Sequence, residues 1–211
     1  MNALIVIAIG YALGCFSTAY YLFRFSTGQD IRGCGSGNAG ARNIGRELGV
    51  PAFVVTFLID GGKGFLTIAL ADYFRLGEAS QMLAMIAVVA GHIWPAQLGF
   101  RGGKGVATAI GALAGFDVKI LIPLIIIFAI ASLVAKHLTE NFTVAGLLAI
   151  AISPIAAAIL RQSAAVTAGV LILAALIISA HRENLREIFT ARTKTARSGN
   201  ALEPQVERRH P

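Results

Sequence analysis

The sequence predicts an all-α integral membrane protein of seven transmembrane helices, with the N-terminus outside and the C-terminus in the cytoplasm. Three observations carry this reading. Of the 211 residues, 56% are hydrophobic and only 14% charged, and the mean hydropathy is +0.72. A soluble domain of this size needs more charge to solvate its surface. The apolar residues gather into long runs, several of which reach the roughly 20 residues that cross a hydrocarbon core. The basic residues flank these runs instead of forming a soluble basic domain. Membrane orientation therefore accounts for the net charge of +7, and nucleic acid is not expected as a partner.

The first span covers residues 3–23. Met1-Asn2-Ala3 leads straight into Leu4 with no positive segment ahead of it, so the run reads as an uncleaved span and not as a signal peptide. Further runs place spans at 52–72, 81–99, 105–117, 119–136, 142–160 and 164–181. The fourth is short: at ~1.5 Å per residue, Val106 to Phe116 reaches about 16 Å, half a bilayer, unless its flanks extend it. Charge parity keeps it. With seven spans, 14 of the 18 Lys and Arg residues fall on the cytoplasmic side, and Arg75, Lys119 and Arg161 face outward. Deleting the fourth span would put the basic C-terminus outside, against the positive-inside tendency. Residues 1–190 thus form one seven-helix membrane domain. Residues 191–211, basic and nearly free of large apolar side chains, read as a disordered cytoplasmic tail. Cys15 lies in an apolar run and Cys34 in a basic loop, which suits two unpaired thiols and no disulfide framework.

This parity brings polar segments to one side of the membrane: residues 24–51, 99–105 and 181–197, with 136–141 as a fourth. The first contains Gly33-Cys34-Gly35-Ser36-Gly37-Asn38-Ala39-Gly40-Ala41-Arg42-Asn43, then Arg46. Glycines let successive N–H groups turn inward around an anion. Ser36, Asn38 and Asn43 add neutral hydrogen-bonding groups, and the arginines add charge suited to phosphate. The bland alternative is a flexible loop between spans. The second segment, Phe100-Arg101-Gly102-Gly103-Lys104-Gly105-Val106-Ala107-Thr108, opens the fourth helix. A glycine turn with a lysine at a helix N-terminus favours phosphate. It is not a Walker A motif, since Gly105 stands where Ser or Thr must follow the lysine; the alternative is a positively charged membrane anchor.

The third segment, His181-Arg182-Glu183-Asn184, ends the seventh span. His181 is suited to act as a general base or to orient a hydroxyl, and Asn184 shares its helical face; an interfacial cap is the alternative. Asp60 and Lys63 stand mid-span at i,i+3 and read first as a buried structural pair, with a helper role beneath the site as the sharper view. His92, near the cytoplasmic end of the third span, and His137, at the interface, are ambiguous. The histidines fall at no metal-ligand spacing.

Together these motifs resemble the bacterial acyl-phosphate:glycerol-3-phosphate acyltransferase family, PlsY. The resemblance rests on Gly35-Ser36-Gly37-Asn38-Ala39-Gly40 with Asn43; on Gly91-His92 with Pro95 and the run Phe100 to Thr108; and on His181-Arg182-Glu183-Asn184. Asp60-Gly61-Gly62-Lys63-Gly64 is also similar to an Asp-x-x-Lys-Gly pattern of that family. The resemblance covers residues 3–190 and implies seven helices in the bacterial cytoplasmic (inner) membrane, multi-pass, with the active site on the cytoplasmic side. It implies transfer of a fatty acyl group from acyl phosphate to the 1-hydroxyl of sn-glycerol 3-phosphate, giving lysophosphatidic acid for phospholipid synthesis. The expected partners are acyl phosphate, glycerol 3-phosphate and membrane lipid. No cofactor and no metal ion are expected.

By the same resemblance, Ser36, Lys104, His181 and Asn184 are the catalytic candidates. Gly35, Gly37, Asn38, Arg42, Asn43, Arg46, Arg101, Gly102, Gly103, Gly105 and Thr108 are the candidates for binding substrate phosphate. Acyl phosphate is already activated, so positioning and oxyanion stabilisation carry most of the chemistry. His181 or a substrate phosphate takes the hydroxyl proton. Two departures stand out. Arg42 replaces the family's usual Thr in Gly-Ala-Thr-Asn, and the turn Lys136 to Thr143 carries hydroxyls only at Thr139 and Thr143, where serines are usual. These leave open a divergent paralogue with another phosphorylated acceptor or weak activity, and a non-catalytic relative; the anion cradles by themselves also suit a transporter or binding protein for a phosphorylated metabolite.

Overall fold

The computed structural model describes residues 2–138, 142–160 and 162–187, and every described element is helical. It comprises a helical body ending at Ala180 and a separate unit beginning at His181. Thr139, Glu140, Asn141, Arg161 and the tail 191–211 lie outside the described residues.

The first apolar run is not one continuous helix. It forms α1 (Ala3–Cys15) and α2 (Thr18–Thr27), with Phe16 (φ −65°, ψ 108°) and Ser17 (φ −97°, ψ 99°) extended between them. No proline or glycine causes this break. The carbonyls it leaves without helical donors are taken by side chains of other elements, which is what makes the break tolerable in an apolar setting. Lys63 Nζ donates to Gly14 O (3.1 Å) and Phe16 O (2.7 Å), and Gln97 Nε2 donates to Cys15 O.

The first polar segment also holds a helix that hydropathy did not signal, α3 (Ala41–Leu48). Gly49, at φ 83°, turns the chain into α4 (Val50–Tyr73), which carries Pro51 in its first turn, where no helical donor is lost. α5 (Glu78–Ile93) leads through a 3-10 turn at Ala96–Leu98 to α6 (Val106–Phe116). Asp117 alone separates α6 from α7 (Val118–Leu138), which precedes α8 (Phe142–Ile159) and α9 (Ala164–Ala180).

Two helix pairs approach at backbone distance. In α4 and α6, a side chain on Gly64 would run into Thr108 O, and one on Gly111 into Gly61 O. In α1 and α5, Gly14 meets Val88 O and Gly91 meets Tyr11 O in the same way. Small residues at such contacts are how membrane helices gain packing without a hydrophobic drive. Met85, Val88 and Val89 of α5 and Val166 and Val170 of α9 fill the core, each at most 1% exposed. Outward, Leu58, Phe65 and Leu66 of α4 and Ile125, Ile130 and Leu133 of α7 are exposed. Such a surface is at home in lipid and not in water.

Among the described residues, three helical segments are long and apolar enough to cross a membrane: Ala3–Thr27, Val50–Tyr73 and Glu78–Leu98. Four shorter apolar helices accompany them, Val106–Phe116, Val118–Val134, Thr143–Ile159 and Ala164–Ala180. At one end of the body the short turns are tied by Gln162 Nε2 donating to Asp117 Oδ2 (3.1 Å) and by Ser163 Oγ donating to Glu78. The opposite end carries the glycine turns of the first two motifs, with Arg32, Arg42, Arg46, Arg101 and Lys104.

Candidate active site

At that end the first and second motifs meet. Ala39 N donates to Gly102 O (3.4 Å), and Arg32 Nη1 donates to Leu98 O (2.6 Å). Asp30 holds Arg32 in place with a 2.7 Å ion pair and also accepts Arg32 N (2.9 Å), while the Arg32 guanidinium lies 5.3 Å from the Tyr20 ring centre. The hydrogen bond from Arg32 keeps the Asp30 carboxyl below its usual value and, reciprocally, raises that of Arg32. Neither Asp30 nor Arg32 stood among the site candidates, yet they link the loops that carry them.

The first loop is shaped from inside by Asn43, which is 1% exposed. Its Oδ1 accepts Ser36 N (2.8 Å), and its Nδ2 donates to Cys34 O (3.0 Å) and Ile31 O (3.3 Å). The Asn43 amide thus organises the loop, and the Ser36 N–H is engaged by it, while Ser36 itself is exposed. Gly35 combines φ 54° with a position where a Cβ would strike Asn43 Oδ1 and Glu47, so no other residue fits the turn. Gly37 continues the turn at φ 69°, with its N–H on Cys34 O (3.0 Å). Asn38 is half-buried and packs beside Gly40.

The second loop folds back over the end of α5. Gly102 N donates to Ile93 O and Gly103 N to His92 O, both at 3.0 Å. These two amides therefore cap α5 and do not point at a ligand; the glycines are there for close approach, since a side chain on Gly102 would meet His92 O and one on Gly103 the His92 ring. What the loop leaves for an anion is the first turn of α6. Its N-cap, Gly105 at φ 81°, supplies no side chain, and exposed Arg101 and half-buried Lys104 precede it. Free N–H groups and the helix dipole at such an end favour negative charge. Thr108 lies beneath this turn, fully buried, with its hydroxyl unpartnered among the described residues.

Arg42 and Arg46 are both exposed on α3, one turn apart. Arg42 Nη1 donates to Thr143 Oγ1 (2.9 Å), which ties the start of α8 to the first polar segment. The third motif belongs to the separate unit. There His181 turns the chain into a helical stretch over residues 182–187, its carbonyl accepting Leu185 N (3.0 Å), and Asn184 lies in that stretch.

Fold and site define an all-helical membrane protein with two glycine loops joined at one end, where Arg32, Arg42, Arg46, Arg101 and Lys104 stand. The sequence matches the family model described as glycerol-3-phosphate acyltransferase over residues 4–191. It is 41% identical over 197 residues to glycerol-3-phosphate acyltransferase 1 of Desulfitobacterium hafniense (strain Y51), covering 93% of this chain and 96% of that protein. It is 37% identical over 191 residues to glycerol-3-phosphate acyltransferase of Clostridioides difficile (strain 630), covering 88% and 91%. The fold matches the crystal structure of PlsY, an integral membrane glycerol 3-phosphate acyltransferase, in its glycerol 3-phosphate form. The TM-score is 0.82 at 29% identity, over 90% of this chain and 93% of that one. The lysophosphatidic acid form of PlsY gives 0.79 at 28% identity, with the same coverage. The chain belongs to the glycerol-3-phosphate acyltransferase family.

Proposed function

We propose that this protein transfers a fatty acyl group from acyl phosphate to the 1-hydroxyl of sn-glycerol 3-phosphate. The observation that carries this reading is the junction of the two glycine loops, Ala39 N to Gly102 O, beside the uncapped start of α6. Two phosphorylated substrates must meet with their reacting atoms about 3–3.5 Å apart, and joined anion-binding loops supply that proximity.

The hydroxyl oxygen attacks the acyl carbonyl carbon, an ester C–O bond forms, and the bond to the phosphate oxygen breaks. The proton lost by the hydroxyl ends on the released phosphate, so no cofactor is needed. Lys104, Arg101 and the first turn of α6 hold one phosphate, with Gly102, Gly103 and Gly105 shaping the turn and Thr108 supporting it from below. Arg42 and Arg46 attract the other. Ser36, with Gly35, Gly37 and Asn38 around it and Asn43 behind it, meets the reacting carbonyl. His181 and Asn184 handle the acceptor hydroxyl, a role that rests on the third motif.

We assign residues 1–190 to the catalytic membrane domain and 191–211 to a basic tail outside it. Seven spans, an outside N-terminus and a cytoplasmic site in the bacterial inner membrane agree with the charge parity and with the opposite ends at which the polar turns and the Asp117–Gln162 turns lie. The test is turnover of acyl phosphate and glycerol 3-phosphate by purified protein in detergent or lipid, without coenzyme A. Lys104→Ala and Ser36→Ala each should lower kcat/KM by at least about 100-fold. No product from the wild-type protein would end this reading.

A further inference from the structure

Beneath the second glycine loop lies a buried polar cluster that no step of the proposed reaction uses. Thr56, Asp60, Lys63 and Thr67 form one stripe along α4, and all are buried. Asp60 Oδ1 accepts Thr18 Oγ1 (2.9 Å) and Lys63 Nζ (3.0 Å). Besides the carbonyls of Gly14 and Phe16, Lys63 Nζ stands 2.9 Å from His92 Nδ1. With Lys63 taken as an ammonium, whose three N–H groups are shared among these four neighbours, Nδ1 is assigned as acceptor and the ring proton to Nε2. The Nε2 edge in turn abuts Gly103: the three atoms nearest to a Cβ built on Gly103 are Nε2, Cε1 and Cδ2 of His92. His92 thus grips Gly103 twice, once by its ring and once by its carbonyl, which accepts Gly103 N (3.0 Å).

An intramembrane ion pair is costly, and two packed apolar side chains would hold α4 against its neighbours at least as well. What apolar residues cannot do is join the α1–α2 break to the loop before α6 through one nitrogen. We propose that His92, fixed by Lys63 and through it by Asp60, is a positioning residue that sets where the 101–105 turn presents its phosphate-binding groups. The inference rests on the acyltransferase reading, in which that turn receives a substrate phosphate.

The contact is tested by a double-variant cycle in the purified full-length protein, reading KM for glycerol 3-phosphate, KM for acyl phosphate and kcat separately. His92→Asn keeps an acceptor for Lys63 but removes the ring edge; one of the two KM values should rise about tenfold, with kcat changing by no more than about threefold. Gly103→Ala alone should be more damaging, because its methyl group meets the ring. In the His92→Asn background the same change should cost nothing further. Effects that multiply as if independent, or KM values that do not move in His92→Asn, overturn the proposal.

A second arm separates positioning from charge balance. Lys63→Met leaves Asp60 uncompensated, whereas Asp60→Asn with Lys63→Met removes both charges and should restore the melting temperature without restoring KM. Recovery of wild-type KM by that pair refutes the role of Lys63. Amide hydrogen exchange over residues 99–105, expected to quicken in His92→Asn, does not depend on turnover. If the wild-type protein makes no product, the acyltransferase reading fails by itself, and unchanged exchange then decides against the positioning role.

Discussion

Arg42 Nη1 donates to Thr143 Oγ1 across 2.9 Å, joining two residues that stand 101 positions apart in the sequence. Arg42 is one place where this chain departs from the pattern of the family it resembles, and Thr143 stands at the end of the other. The acceptor is a neutral hydroxyl, which fixes the direction of the guanidinium without cancelling its charge. A cation is therefore retained beside the first motif.

The two partners should respond unequally to removal. Thr143→Val, which loses one hydrogen bond, should alter KM for glycerol 3-phosphate by less than about fivefold. Arg42→Ala loses the charge as well and should raise KM about tenfold or more, with a weaker dependence on ionic strength. Steady-state kinetics at two salt concentrations decide this, and equal effects of the two variants would mean that Arg42 serves only to hold Thr143.

The Asp30–Arg32 pair carries a pH signature. Because the folded Asp30 carboxyl lies below its ordinary value of 3.8, the tether is fully present above that value and is lost as pH falls through the folded one. Asp30→Asn should lower the melting temperature by an amount that is constant from about pH 8 to pH 5 and that shrinks below about pH 4. Thermal unfolding in detergent across that range measures it; a difference that widens on acidification would contradict the pairing.

Glycines of one short run should differ sharply. Gly64 faces Thr108 O at backbone distance, whereas a Cβ on Gly62 would meet nothing within 4 Å. Gly64→Ala should destabilise the protein by about 1–3 kcal/mol through overpacking. Gly62→Ala should be neutral or stabilising by up to about 1 kcal/mol, since alanine is the better helix former. Melting temperatures of the two variants provide the comparison, and equal losses would show that α4 and α6 do not pack as described.

The free thiols report the orientation directly. Cys34 is partly exposed in the first glycine loop, and Cys15 is buried. With the site cytoplasmic, a membrane-impermeant maleimide should label Cys34 in inverted vesicles and not in right-side-out ones, and the signal should vanish in Cys34→Ser. Labelling from the outer side reverses the proposed topology.

Much of the architecture was legible because hydropathy acts locally. An apolar run near span length partitions into lipid whatever its neighbours do. The glycine turns of both motifs were legible for the same reason, since positions such as Gly35 and Gly105 need a backbone that only glycine adopts readily. The break at Phe16 and Ser17 was not, because nothing in the run itself causes it. It depends on Lys63 and Gln97 reaching its carbonyls from elsewhere in the chain.

The same division runs through the site. The sequence by itself determined an all-helical membrane protein, the clustering of glycine, arginine and lysine between its apolar runs, and the motifs that mark its family. Only the tertiary structure decided that the Gly102 and Gly103 amides cap α5, that Asn43 faces inward to hold Ser36, and that Arg42 meets Thr143. It also turned the Asp60–Lys63 pair, readable from its i,i+3 spacing, into a cluster reaching His92 and the loop above it. The physical reason is that each of these relations is a hydrogen bond or a close approach between distant segments, set by where packed helices place their ends and not by the composition of either segment.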